Sequence, residues 1–189
     1  MEGGRVNPLE QKTVRELVIR AQKGDEQAFA KLIEAYQSVV FRLIFRITGN
    51  EADAEDVCQE AFLRAYRALG RFDPERPFGP WILKIAANRA LTQAGGRRFE
   101  ADVDALAETL GGGDAVETGL ERAGEIERVQ QAMGRLPAVD RALLALHYED
   151  EMKLAQIAET MGLREGTVRV RLFRARERLM NIVSGGEKS

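Results

Sequence analysis

Residues 154–176 read LAQIAETMGLREGTVRVRLFRAR, and this stretch decides the fold. It implies two helices, Leu154–Met161 and Glu165–Ile182, separated by Gly162-Leu163-Arg164. A helix-turn-helix needs a small residue where the helices touch, a turn residue that tolerates positive φ, and an apolar anchor on the second helix. Ala158, Gly162 and Val168 fill those places, with Ile157, Met161 and Leu163 as core. The second helix then points Thr167, Arg169, Val170, Phe173 and Arg174 outward. An α-helix fits the major groove of B-DNA, where arginine can pair bidentately with guanine O6 and N7. Arg171, Arg176 and Arg178 suit phosphates by charge. The same residues also fit an ordinary helical hairpin with a solvated arginine face.

Working outward, the segment before this pair gives two more helices. Ile126, Val129 and Met133 mark one that stops before Pro137; Val139, Leu143 and Leu146 mark the next. Residues 124–184 are therefore expected to form a four-helix domain. Charge changes sharply ahead of it. Residues 99–127 carry nine acids against Arg122, a net of −8, while residues 164–178 carry six arginines against two glutamates, a net of +4. With Gly111-Gly112-Gly113 and little apolar periodicity, residues 97–123 read as a flexible acidic linker.

Residues 13–96 also read as helices, after an N-terminal tail, 1–12. Phe29, Leu32, Ile33, Tyr36, Val40, Leu43, Ile44 and Ile47 follow three-and-four spacing, with Asp25 as N-cap and Gly49 as stop. A second helix from about Asn50 turns Val57, Ala61, Phe62, Ala65 and Leu69 inward. Residues 71–80, RFDPERPFGP, hold three prolines and a glycine and read as a loop; a helix from Trp81 to about Gln93 follows, ending before Gly95-Gly96. Alternating strand patterns are absent. The fold class is all-α: two small helical domains joined by a flexible linker, the second carrying the helix-turn-helix.

Composition narrows the function classes. Of 189 residues, 44% are hydrophobic and 31% charged, enough to bury a core and stay globular. The net charge of −2 excludes a generally basic, histone-like binder. Cys58 is the only cysteine and His147 the only histidine, which excludes a disulfide framework and a zinc site. That pair also leaves no nucleophile–base–acid set, and no phosphate-cradling Gly-Lys loop is present, so neither catalysis nor a cofactor is expected. Apolar runs fall far below the ~20 residues needed to cross a bilayer. The start, MEGGRVNPLEQK, lacks a signal-peptide apolar core, so a cytoplasmic protein with no membrane insertion is expected.

Three motifs in order resemble those of bacterial sigma factors. Leu136-Pro137…Asp140-Arg141, Leu143–Leu146, Ile157-Ala158-Glu159 and Gly166–Arg176 resemble the fourth conserved region. Asp53–Ala65, DAEDVCQEAFLRA, resembles the second-region helix that docks on RNA polymerase, and Phe78…Trp81-Ile82…Ile85-Ala86…Asn88-Arg89 the promoter-melting helix after it. With two domains and a linker, the chain is similar over 13–183 to the extracytoplasmic-function (ECF) sigma factors of the sigma-70 family. The resemblance implies a dissociable subunit of core RNA polymerase, contacting the β′ clamp and the β flap. It places Asp56, Gln59, Glu60 and Leu63 against the clamp; Asp56, Glu60 and Leu63 also share one helix face by spacing. Phe72, Arg76, Phe78, Trp81, Asn88, Arg89, Arg97 and Arg98 correspond to the part that captures a flipped base of the melted −10 element, and supply the stacking and cationic groups that single strands favour. Arg164, Thr167, Arg169, Val170, Phe173 and Arg174 match positions that read the duplex −35 element. An anti-sigma partner, which would hold the chain away from the nucleoid or at the membrane, is a further expectation of the family.

The chain departs from the family pattern in three places. Cys58 stands where relatives carry a β-branched or small residue, and reads as a small buried hydrophobe. Asp150–Gln156 lacks the usual aromatic and acid, and Val170 replaces a small polar residue. Two other readings remain open from residues alone. A stand-alone dimeric DNA-binding regulator would leave the Gln59-Glu60 helix and the Phe/Trp loop unexplained. A helical scaffold without DNA binding would leave the arginine helix unexplained.

Overall fold

The structure is a computed structural model and describes residues 11–94 and 123–185, with side chains in the second stretch from residue 128 onward. Among these residues there are eight α-helices and no strand. They form two helical domains: α1 (Gln11–Gln22), α2 (Glu26–Thr48), α3 (Glu51–Ala68) and α4 (Phe78–Gln93), then α5 (Ala123–Gly134), α6 (Ala138–Leu144), α7 (Leu154–Met161) and α8 (Glu165–Gly185). The acidic linker, Arg97, Arg98 and the side chain of Ile126 lie outside the described residues, as does most of the N-terminal tail.

Local chemistry sets the boundaries of the first domain. Asp25 accepts a hydrogen bond from the Ala28 N–H at 3.0 Å and caps α2. That backbone bond, and then the Arg20 guanidinium, hold its carboxyl below the usual range. Gly49 ends the helix at φ 72°, a left-handed position that glycine adopts without a Cβ penalty. Asn50 then accepts from the Asp53 N–H and starts α3. Leu32, Val40, Leu43, Ile44 and Ile47 of α2 are completely buried, each such side chain stabilising by about 1.5–3 kcal/mol.

Several boundaries differ from the sequence reading: α1 already starts at Gln11, inside the expected tail, and α8 runs on to Gly185, past Ile182. Helix α4 starts at Phe78, so Gly79 and Pro80 lie in its first turn rather than in the loop; proline is tolerated there because its missing N–H needs no partner. In the second domain α6 stops at Leu144 and passes into a π-helical turn, Ala145–Glu149. Leu146 is buried all the same.

Helix α4 buries Phe78, Ile82, Leu83, Ala86, Ala87, Ala90 and Leu91 and leaves the stripe Lys84, Asn88 and Thr92 exposed, a wide apolar surface that is covered on more than one side. It packs on α2 and α3 within its own domain and on α7 of the other. Helix α2 similarly meets α6. The buried apolar side chains of both domains consequently form one contiguous cluster. No helix among the described residues is long and apolar enough to cross a membrane.

Candidate polymerase and nucleic-acid interfaces

The helix-turn-helix is built as its three key residues require. Gly162 takes φ 68° and ends α7, and the Leu163 N–H returns to the Ala158 carbonyl at 2.8 Å. Val168 is completely buried and, with Leu172 and Ala175, seats α8 on its domain. The opposite side of α8 stays open. Arg164 and Arg169 are exposed, Phe173 is 41% exposed, and Thr167, Val170 and Arg174 are half-buried beside them. The six expected −35 residues thus come together at Arg164, in the turn before α8, and along the first turns of α8, where Arg169 pairs with the exposed Glu165 at 3.3 Å.

Arg178 has a partner that local sequence does not announce. It pairs with Asp140, a carboxylate on α6 that is 3% exposed, and so ties α8 to α6, while its own side chain stays 54% exposed. A carboxylate so far from water needs a cation beside it.

On α3, Asp56, Gln59 and Leu63 project to solvent, Leu63 56% exposed. Glu60 behaves differently. Arg64 donates to its Oε1 at 2.6 and 2.9 Å, and Arg89 of α4 donates to its Oε2. Those bonds, Arg64 first and Arg89 second, lower the Glu60 pKa below its ordinary value. Arg89 is therefore a clip between α3 and α4. Its guanidinium faces that carboxylate and is partly buried, so less of it is open to a further partner than of Arg76.

Beside this face lies a feature that sequence reading missed: a groove of about 600 Å³ between α2 and α3, walled by Phe29, Ile33, Phe62, Leu63 and Tyr66. Phe29 and Tyr66 meet at 4.9 Å between ring centroids. Ile33, expected in the core, is only partly buried and lines this groove. The available signal was the recurrence of Phe62 and Tyr66 one turn apart beside Leu63. Cys58 also lines the groove; it is half-buried, and burial pushes its thiol pKa up, so it remains an un-ionised thiol.

The segment before α4 is held rigidly. Gln22 donates to the carbonyls of Leu69 and Phe72 at 2.9 and 2.7 Å. Asp73 accepts from the Glu75 N–H, and Arg15 of α1 grips Glu75. Phe72, Phe78 and Trp81 pack together with centroids 4.5–5.8 Å apart, and Tyr36 closes the cluster on Phe78 at 5.2 Å. Phe72 is 7% and Phe78 2% exposed. Neither has a face free for a base, which corrects their expected stacking role: they anchor the loop. Arg76 and Asn88 are exposed and Trp81 half-buried, so these are the expected −10 residues with surface to offer.

Comparison with known proteins gives the family. The model for Sigma-70 region 2 matches residues 32–99, spanning α2 to α4, and that for Sigma-70, region 4 matches 126–179, spanning α5 to α8. RNA polymerase sigma-H factor of Pseudomonas aeruginosa is 40% identical over 89% of this chain and 93% of its own length. The chain belongs to the ECF sigma factors. The ECF RNA polymerase sigma-E factor of Escherichia coli K12 is 39% identical over 92% of this chain and 96% of its own, and ECF RNA polymerase sigma factor SigW of Bacillus subtilis 30% identical over 88% and 94%. Among solved structures, CnrH in complex with the cytosolic domain of CnrY is 26% identical, with a TM-score of 0.68 over 92% of this chain and 98% of that one. As an ECF sigma factor of the sigma-70 family the chain is a promoter-recognising initiation factor, and it is not an enzyme.

Proposed function

We propose that the chain docks on core RNA polymerase through α3 and the adjoining apolar groove, reads the −35 element with α8, and holds melted −10 DNA with the surface around α4. The observation that carries this reading is the division of α8 into a buried seat and an open face: Val168, Leu172 and Ala175 inside, Arg169 and Phe173 outside, with Arg164 exposed in the turn just before it. Side chains so mounted can reach base edges in the major groove while the opposite face keeps the helix fixed. Asp56, Gln59 and Leu63 would make the clamp contact, with Leu63 and Tyr66 supplying the apolar part. Region 4 would meet the β flap. Arg76, Trp81 and Asn88 would hold the unpaired strand, combining a cation, an aromatic edge and a polar group. Melting would then draw its energy from binding the exposed strand, since no nucleotide is consumed. That CnrH is seen in complex with the cytosolic domain of CnrY supports a protein partner for this chain as well, in line with the expected anti-sigma factor.

Runoff transcription tests the reading: purified protein and bacterial core polymerase on a pool of genomic promoter fragments, against core alone. Discrete start sites that require the protein are expected. Binding to core without new starts at any fragment would contradict the −10 and −35 assignments.

A further inference from the structure

Helix α1 lies ahead of the region 2 match, which begins at residue 32, yet it holds the segment between α3 and α4 at two points. Gln11, Arg15, Val18 and Gln22 recur at intervals of four, three and four, so they form one stripe along the helix. Val18 is completely buried and seats that stripe. Gln22 serves the base of the loop: its amide nitrogen donates to the Leu69 carbonyl at 2.9 Å and the Phe72 carbonyl at 2.7 Å. Phe72 in turn packs on Trp81, with 4.5 Å between ring centroids. Arg15 serves the tip, where its Nε donates to Glu75 Oε1 at 2.8 Å and its Nη2 to the same oxygen.

The tip holds its own shape. The Arg76 N–H donates to the Asp73 carbonyl and the Glu75 N–H to the Asp73 side chain, both at 3.0 Å, which closes the turn Asp73–Arg76. Its side chains are not packed away: Asp73, Glu75, Arg76 and Pro77 are exposed and Pro74 is half-buried. A cleft of about 320 Å³ separates this turn from α1, walled by Lys12, Val14 and Val18 on one side and by Pro74, Pro77 and Phe78 on the other. Arg15 and Glu75 line the same cleft and join across it. Polar ties rather than packing therefore set where the turn stands. Arg76, the cation assigned to the melted strand, directly follows the tied Glu75.

We propose that Arg15 and Gln22 are positioning residues: they fix the loop so that Arg76 and Trp81 meet the melted −10 strand in one geometry, and they set base preference there without touching DNA. The proposal rests on the −10 assignment above. A contact group displaced by ~1 Å loses much of its discrimination, and a loop already held in place binds a strand with a smaller ordering penalty. Arg15 and Glu75 are both exposed, and such pairs add little to stability. Loss of the pair thus changes where Arg76 stands while the domain stays folded. That combination separates positioning from a merely structural role.

The test uses holoenzyme of core polymerase and the full chain, transcribing a promoter library randomised through the −10 and −35 elements. Arg15→Glu and Gln22→Met should each reduce preference among −10 sequences by roughly 3- to 10-fold, with −35 preference and core binding kept. Arg15→Glu should also keep the melting temperature within about 2 °C of the wild type. Arg15→Glu combined with Glu75→Arg, which rebuilds the pair with its charges exchanged, should return the wild-type −10 preference. Unchanged −10 preference in both single variants overturns the proposal. So does a loss that the exchanged pair fails to restore, because Arg15 would then act on DNA directly. An equal loss at both elements overturns it as well, being the mark of a general structural fault. Wild-type holoenzyme that transcribes without any −10 preference would contradict the promoter reading itself, and the positioning claim falls with it.

Discussion

Helix α8 and the segment leading into α4 carry the same residue types, arginine and phenylalanine, and use them in opposite ways. On α8, Phe173 is 41% exposed and Arg169 faces solvent, as does Arg164 just before the helix. Around the start of α4, Phe72 and Phe78 are buried against Tyr36 and Trp81, and further along that helix Arg89 is engaged by Glu60. A surface that reads base edges must keep its side chains free. A loop without regular backbone hydrogen bonding must be pinned by something else, and here aromatic rings and Gln22 do the pinning. Residue type alone therefore does not identify a nucleic-acid contact; the helical period that decides exposure does.

The contrast has measurable consequences. Phe78→Ala should destabilise the chain by about 3–5 kcal/mol, the usual loss for a buried aromatic, whereas Phe173→Ala should stay within about 0.5 kcal/mol; chemical denaturation of both variants decides it, and equal losses would dissolve the distinction. Arg178→Ala should cost about 1–3 kcal/mol by stranding the buried Asp140 carboxylate. Arg169→Ala, measured the same way, should leave stability unchanged. Gly162→Ala should cost about 1 kcal/mol through its left-handed backbone, with little clash because only Lys84 is near. Glu60 gives the smallest effect, visible in the pH dependence. Its folded pKa is lowered from 4.5, so its contribution is complete above that value and is lost as pH falls through the lower folded pKa. Glu60→Gln should flatten the acid limb of the stability curve slightly; an unchanged limb would mean that Arg64 and Arg89 hold it only weakly.

Much of this was legible in the sequence because it followed local rules. Asp25, Gly49, Asn50 and Gly162 mark helix ends by their own chemistry, and the spacing of Ala158, Gly162 and Val168 predicts α8 and its outward side. Long-range pairings were not legible. Nothing near Arg178 announces Asp140, 38 positions away, and nothing near Arg89 announces Glu60. The groove on α2 and α3 escaped notice because Phe29, Ile33 and Tyr66 satisfy the same periodicity as core residues. The π-helical turn and Glu151, left-handed at φ 51°, carry no glycine or proline to signal them, since tertiary contacts impose both.

The open face of α8 is the centre of this account, and a promoter library tests it most directly. Fragments randomised through the −35 element would be transcribed by holoenzyme containing the wild-type chain, Arg169→Ala or Arg174→Ala, and the transcribed sequences compared. Each variant should lose preference at one or two base positions, by about 1–3 kcal/mol of discrimination, while preference elsewhere in the element is kept. Unchanged base preference in both variants, or a uniform loss across all positions, would contradict direct reading of the −35 element by these arginines.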